Sequence, residues 1–310
     1  MNFSEYTLVS FGDSFTMGQD TVPNYEVVDK KDGRNQIPLQ TKWKKDCNEK
    51  SYTQVIAERM GFKDTLNFGI LAGSNERSLT LLESFLRTNP DKKVFVLFSF
   101  TSASRFLQYF KVDGKREYNA INIQGAEWDS IVIYEPHSKE GRYTGIDEKS
   151  LKTQYTYWRN NIQDVYNHVK DRRMLYYILS SDNVPYVTFD ILNDIDNHML
   201  RDNPINYISS NDGFGMDFMY NDDERYVFKE MDFLKSYRQE LVDKSPLLTH
   251  IQIDDLNGGA NFCAYLNKLS ITKYDDNNHY YVTNEGGHWN SEGHIEVAKL
   301  IEKFINERYN

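Results

Sequence analysis

The chain has 310 residues, of which 39% are hydrophobic and 26% charged. That balance excludes a disordered chain and leaves room for one large domain with insertions. Its formal net charge of −10 sets a mean field that repels phosphate, so no nucleic-acid partner is expected. No apolar run is long enough to cross a bilayer, so no membrane partner is expected either. Residues 1–6 lack the basic and apolar regions of a secretory signal. The expectation is cytoplasmic synthesis, with the host cytoplasm or a virus particle as destinations. Cys47 and Cys263 make no disulfide framework and show no metal-ligand spacing. The 22 tyrosines fit equally a Tyr-rich core and rim or a surface for carbohydrate stacking.

In chain order, residues 6–11 read as a first strand that runs into Gly12-Asp13-Ser14, a sharp turn. Residues 19–50 read as a polar loop. Ser51 caps a helix through Met60, with Val55, Ile56 and Met60 as its buried face. Residues 65–70 form a second strand, and residues 75–87 a helix with Leu79, Leu82, Phe85 and Leu86 on one side. Residues 94–100, VFVLFSF, are continuously apolar, as in a strand covered on both faces. Leu151, Tyr155, Trp158, Ile162, Val165 and Val169 step by three and four, an amphipathic helix continuing toward Leu179. Residues 185–191 are the next strand. A final helix over 291–309 turns Ile295, Ala298, Ile301 and Ile305 to the core.

Strands alternating with helices predict a doubly wound, mainly parallel sheet in a three-layer α/β/α sandwich of flavodoxin-like type. Two stretches break the alternation. Residues 106–149 contain hairpin-like segments at 118–123 and 130–134. Residues 193–284 are Asp-rich and irregular, with one helix near 229–242. Both read as insertions into a single domain, placed to form a lid or a specificity wall.

A serine hydroxyl needs a base within hydrogen-bond reach and donors for the oxyanion. Ser14 at the end of a parallel strand meets the first need if a histidine comes near it. His288 sits in a Gly-rich loop, Asn284-Glu285-Gly286-Gly287-His288, directly before the last helix. Glu285, three residues earlier, can curl back to the imidazole and orient it; Asp275 and Asp276 are alternatives for that role. His294 and Asp13 read as structural. His250 and His279 lack a partner at metal-ligand spacing, and no P-loop or calcium loop occurs, so neither metal nor cofactor is expected.

Phe11-Gly12-Asp13-Ser14 together with Glu285 to His294 resembles the SGNH hydrolases, also called GDSL esterases or lipases. Two further segments extend the resemblance over nearly the whole chain: Asn67-Phe68-Gly69-Ile70-Leu71-Ala72-Gly73, and the strand ending Ser99-Phe100-Thr101-Ser102. The resemblance implies Ser14 as nucleophile, His288 as base and Glu285 as triad acid in place of the usual Asp. It implies an oxyanion hole from the N–H groups of Ser14 and Gly73, with Ala72 the alternative, because the Asn67–Gly73 spacing is one residue longer than usual. The family's Asn after the third strand is missing. Thr101 falls at its position, and Ser102 or Asn75 are other donors. Gly73-Ser74-Asn75-Glu76-Arg77 and Thr101 to Phe106 resemble bacteriophage members, with Arg77 and Arg105 as candidate contacts to an anionic substrate group. The expected activity is hydrolysis of small acyl esters, such as O-acetyl groups on a glycan. The competing expectation is an SGNH-fold binding or structural protein of a phage particle, assembled as an oligomer or into the virion, with little or no catalysis. Transfer of the acyl group to an acceptor other than water is also open.

Overall fold

The structure, a computed structural model, describes residues 1–19, 21–22, 36–70, 73–101, 105–111, 118–126, 130–134, 161–192, 250–251, 261–276, 279–282 and 287–309. Side chains in 36–41, 105–134 and 161–166 and at 169 are not described. The sequence reading of a helix at 229–242, and the start of the helix read from Leu151, lie outside these residues.

Four strands form a parallel sheet: β1 (Thr7–Gly12), β2 (Asp64–Gly69), β3 (Val94–Phe100) and β7 (Tyr186–Asp190), in the order β2-β1-β3-β7. From β1 the chain steps to one side to make β2, then crosses to the other to make β3. The order therefore reverses between β1 and β3, where a crevice opens beyond the strands' carboxyl ends. β1, β3 and β7 are buried along their whole length, so they carry apolar residues on both faces. Leu8, Phe95, Leu97, Val187 and Phe189 pack beneath α3 (Tyr52–Met60), α6 (Phe262–Tyr274) and α7 (Ser291–Tyr309). Val9, Phe11, Val96, Phe98 and Phe100 pack beneath α4 (Asn75–Thr88) and α5 (Asn161–Ser181). The result is the three-layer, doubly wound α/β sandwich read from the alternation.

A separate antiparallel sheet of β4 (Arg105–Lys111), β5 (Tyr118–Ala126) and β6 (Ser130–Tyr134) follows β3. The hairpin-like segments at 118–123 and 130–134 are β5 and β6, and β4 is a third strand beside them. Three local readings are corrected. The loop read over 19–50 contains α2 (Gln36–Asn48), whose lysine-rich surface masks a short helix. The stretch read as irregular over 193–284 contains α6, whose Phe262, Cys263 and Leu266 are buried in the core. Ile295 is exposed; the buried stripe of α7 runs through Val297, Ala298, Ile301, Phe304 and Ile305.

Candidate active site

Ser14 begins α1 (Ser14–Met17), a single turn directly after β1. Asp13 caps it: its Oδ1 accepts the Phe15 N–H at 3.0 Å, satisfying one of the donors a helix start leaves orphaned. Its Oδ2 accepts the Thr101 hydroxyl at 2.6 Å. The other end of α1 is fixed by glycines. A Cβ on Gly69 would lie 2.2 Å from the Met17 nitrogen, and one on Gly12 would lie 2.2 Å from Thr16 Oγ1. Only bare backbone lets α1 lie this close to the ends of β1 and β2.

Beneath the turn, Thr16 Oγ1 lies 2.9 Å from the Tyr52 hydroxyl and 2.5 Å from Ser99 Oγ. Asn67 Nδ2 donates to the Thr16 carbonyl at 2.6 Å, and its Oδ1 accepts the Gly69 N–H at 2.8 Å. Composition and periodicity give no sign of this set; its one sequence clue is a run of Ser and Thr at otherwise apolar strand and helix positions.

His288 comes from the other end of the chain. The segment carrying it runs beside residues 280–282: Val282 N–H donates to the His288 carbonyl at 3.0 Å, and Asn290 N–H to the Tyr280 carbonyl at 2.8 Å. Trp289, fully buried, anchors it in the core, and the Phe15 ring lies 4.9 Å from the His288 ring and 4.8 Å from that of Trp289. The imidazole Nε2 stands 2.8 Å from Ser14 Oγ, across 274 positions of sequence. Ser14 is only 3% exposed, so little water competes for that bond.

The other expected site residues are placed as follows. Glu285, the expected triad acid, lies outside the described residues, as do Ala72 and Ser102. Of the alternatives to Glu285, Asp275 ends α6 and Asp276 follows it, its carbonyl accepting the Ser270 hydroxyl. The Gly73 N–H donates to the Ile70 carbonyl at 2.9 Å. Both donors of Thr101 are also engaged, its hydroxyl by Asp13 and its N–H by Asn75 Oδ1 at 2.9 Å. Thr101 thus supports the Ser14 turn through Asp13, where the resemblance implied an oxyanion donor. Asn75, 3% exposed, is brought to the end of β3. Arg77 is half-buried in the first turn of α4, with its N–H on Ser74 Oγ. Arg105 opens β4, and its side chain is not described.

His294 is buried and makes no contact with Ser14 among the described residues. Its Nδ1 accepts the Tyr52 N–H at 3.2 Å, and its ring stacks on Tyr52 and stands edge-on to Trp289. Burial, reinforced by the nearby His288, depresses its pKa to about 3. Both cysteines are buried free thiols. Among the described residues no cluster of His, Cys, Asp or Glu has metal-binding geometry, and no helix is long and apolar enough to cross a membrane.

The fold and site define a doubly wound α/β sandwich with a serine–histidine pair at the switch point of its sheet. No protein-family model and no curated protein matches the chain. Among solved structures it is similar to one described as a lipolytic protein of the G-D-S-L family from Desulfitobacterium hafniense DCB-2. That match has 9% identity and a TM-score of 0.40, over 96% of this chain and 98% of the other. It is also similar to the acetyl xylan esterase AlAXEase, at 10% identity and a TM-score of 0.39, over 96% and 98%. Likeness at that level leaves the activity to be judged from the side chains themselves.

Proposed function

We propose that the protein is a serine esterase of SGNH type acting on small acyl esters, with O-acetyl groups on a glycan as the favoured substrate class. The observation that carries this reading is the 2.8 Å approach of His288 Nε2 to Ser14 Oγ. In that pair the hydroxyl donates and Nε2 accepts, so the imidazole is poised to take the proton as Oγ attacks an ester carbonyl. His288 then returns the proton to the leaving alkoxide. Water, activated by the same nitrogen, releases the acyl group. Glu285 is assigned to orient the imidazole.

The oxyanion is assigned to the Ser14 N–H, which as the first residue of a helix has no intrahelical partner, and to the Asn75 side-chain amide. The case for Asn75 is one of hydrogen-bond accounting. Arg172 Nε lies 3.0 Å from His168 Nε2 and can only donate, so that nitrogen accepts and the neutral ring carries its proton on Nδ1. Nδ1 then faces Asn75 Nδ2 at 3.4 Å as donor against donor. The only other contact of Nδ2 among the described residues, to the Thr101 carbonyl, is also long at 3.4 Å. A buried amide left this slack is costly at rest and gains a strong acceptor when an oxyanion forms beside it. Asn75→Ala is expected to lower kcat roughly 100-fold while leaving KM nearly unchanged, the signature of a lost transition-state donor. Steady-state kinetics with p-nitrophenyl acetate checks it, and an equal rise in KM would remove Asn75 from the oxyanion hole.

The reading as a whole is tested with a fluorophosphonate probe and p-nitrophenyl acetate. The wild-type chain is expected to take up one probe per molecule at Ser14 and to turn the ester over. Ser14→Ala is expected to do neither. Equal inertness of both proteins would favour a non-catalytic binding role instead.

A further inference from the structure

On the α4–α5 side of the sheet lies a buried polar cluster that takes no part in the proton transfer between Ser14 and His288. His168 and Arg172 are four residues apart on α5, so both project to one side of the helix. Asp190 is the last residue of β7, and His250 bridges to Thr188 of the same strand. Arg172 joins the three others. A terminal nitrogen donates to Asp190 Oδ2 and lies 3.3 Å from His250 Nε2, while Nε donates to His168. His250 Nδ1 in turn lies 2.7 Å from Thr188 Oγ1. His168, Asp190 and His250 are 1%, 7% and 4% exposed. Burial opposes charge on Asp190, but the Arg172 guanidinium and His250 outweigh it and hold the carboxyl below its ordinary range.

Such a pair contributes little net stability, because desolvation offsets most of the attraction. What it does supply is position. The cluster grips the end of β3. Phe100 pairs in register with Asp190, and its carbonyl accepts the Ile191 N–H at 3.0 Å. The Arg172 guanidinium lies 4.9 Å from the centre of the Phe100 ring, and the His168 ring 5.0 Å from it. The next residue is Thr101, whose hydroxyl holds Asp13, the cap of the helix that Ser14 begins.

We infer that His168, Arg172, Asp190 and His250 act as positioning residues for the nucleophile, holding Phe100 so that Thr101 fixes Asp13 and the Ser14 turn. The inference rests on the esterase reading of Ser14. None of the four touches Ser14 or His288 among the described contacts; Arg172 acts through Phe100 and Thr101, and His168 in addition faces Asn75 at 3.4 Å.

The test uses turnover of p-nitrophenyl acetate per fluorophosphonate-labelled site, so that only folded, reactive molecules are counted. Arg172→Lys keeps the charge and loses the planar fork over Phe100. It is expected to lower kcat roughly 10- to 100-fold with KM unchanged. Thr101→Val cuts the same route, so the double variant should be no slower than the slower single variant. Should Arg172→Lys not fold, the pair at His250 decides: His250→Gln keeps an acceptor within reach of Arg172 and should retain the wild-type rate, and His250→Ala should lose it. If turnover per labelled site is unchanged in these variants, or the Arg172 and Thr101 losses multiply, the cluster is merely structural and the inference fails while the esterase reading stands. A wild-type chain that neither labels nor turns over ester overturns both.

Discussion

Replacing His288 with alanine is expected to cost about as much activity as replacing Ser14 itself, roughly 10⁴- to 10⁶-fold in kcat, and the double variant should fall no further. The reason lies in the single hydrogen bond between them. A serine hydroxyl at neutral pH is almost wholly protonated, and attack on a carbonyl leaves a proton on a charged oxygen unless a base removes it in the same step. At 2.8 Å the imidazole Nε2 is in place to do so. Without it, Ser14 keeps its position, held by Asp13 and Thr101, but loses its reactivity. Without Ser14, the base has no nucleophile to serve. The two changes remove one step, so their free energies cannot add. Kinetics of the two single variants and the double variant, with loss of probe uptake in all three, checks the expectation. If the two losses multiply, the residues act separately and the pair is not a catalytic unit.

The layers of this protein were legible because burial on both faces leaves a mark in sequence. VFVLFSF over Val94–Phe100 is such a mark, and its strand has those bounds. Ser51 and the helix it caps were legible because capping is local chemistry. α6 was hidden, since Asn261 and Asp275 at its ends give the segment the composition of a loop, and its burial comes from tertiary packing. Ser14 and His288 could be named from motifs at the two ends of the chain, but no local rule sets the distance between them. The contact made by Thr101 has no signal in sequence for a related reason: its position after β3 is legible, but the acceptor its hydroxyl finds, Asp13, belongs to another strand end. The cluster of His168, Arg172, Asp190 and His250 had one signal in sequence, the four-residue spacing of His168 and Arg172. Its other two members come from β7 and from beyond it, and only the parallel order of the sheet brings them together.

Acid is expected to weaken the fold through His294. This imidazole is fully buried between Tyr52 and Trp289, and burial, then the proximity of His288, lower its pKa from 6.5 to about 3. The folded state therefore keeps the ring neutral in the window where the unfolded chain takes up a proton. A lowered folded pKa on a base makes stability rise with pH, since the unfolded state binds more protons. The contribution is complete above pH 6.5 and declines as pH falls toward 3, at about 1.4 kcal/mol per unit. Two units of acidification should thus remove ~3 kcal/mol, a large share of the stability of an ordinary domain. His294→Asn keeps an acceptor near the Tyr52 N–H and cannot titrate. It should be less stable at neutral pH, because it leaves a cavity, yet lose about one proton's worth of pH dependence. Urea midpoints taken between pH 7 and 4.5 read both effects, and parallel curves for wild type and variant would show that His294 is not the group responsible. In the proposed mechanism a charge on His294 would oppose the imidazolium that His288 becomes during attack, so the buried neutral ring would keep a like charge away from the base as the proton moves.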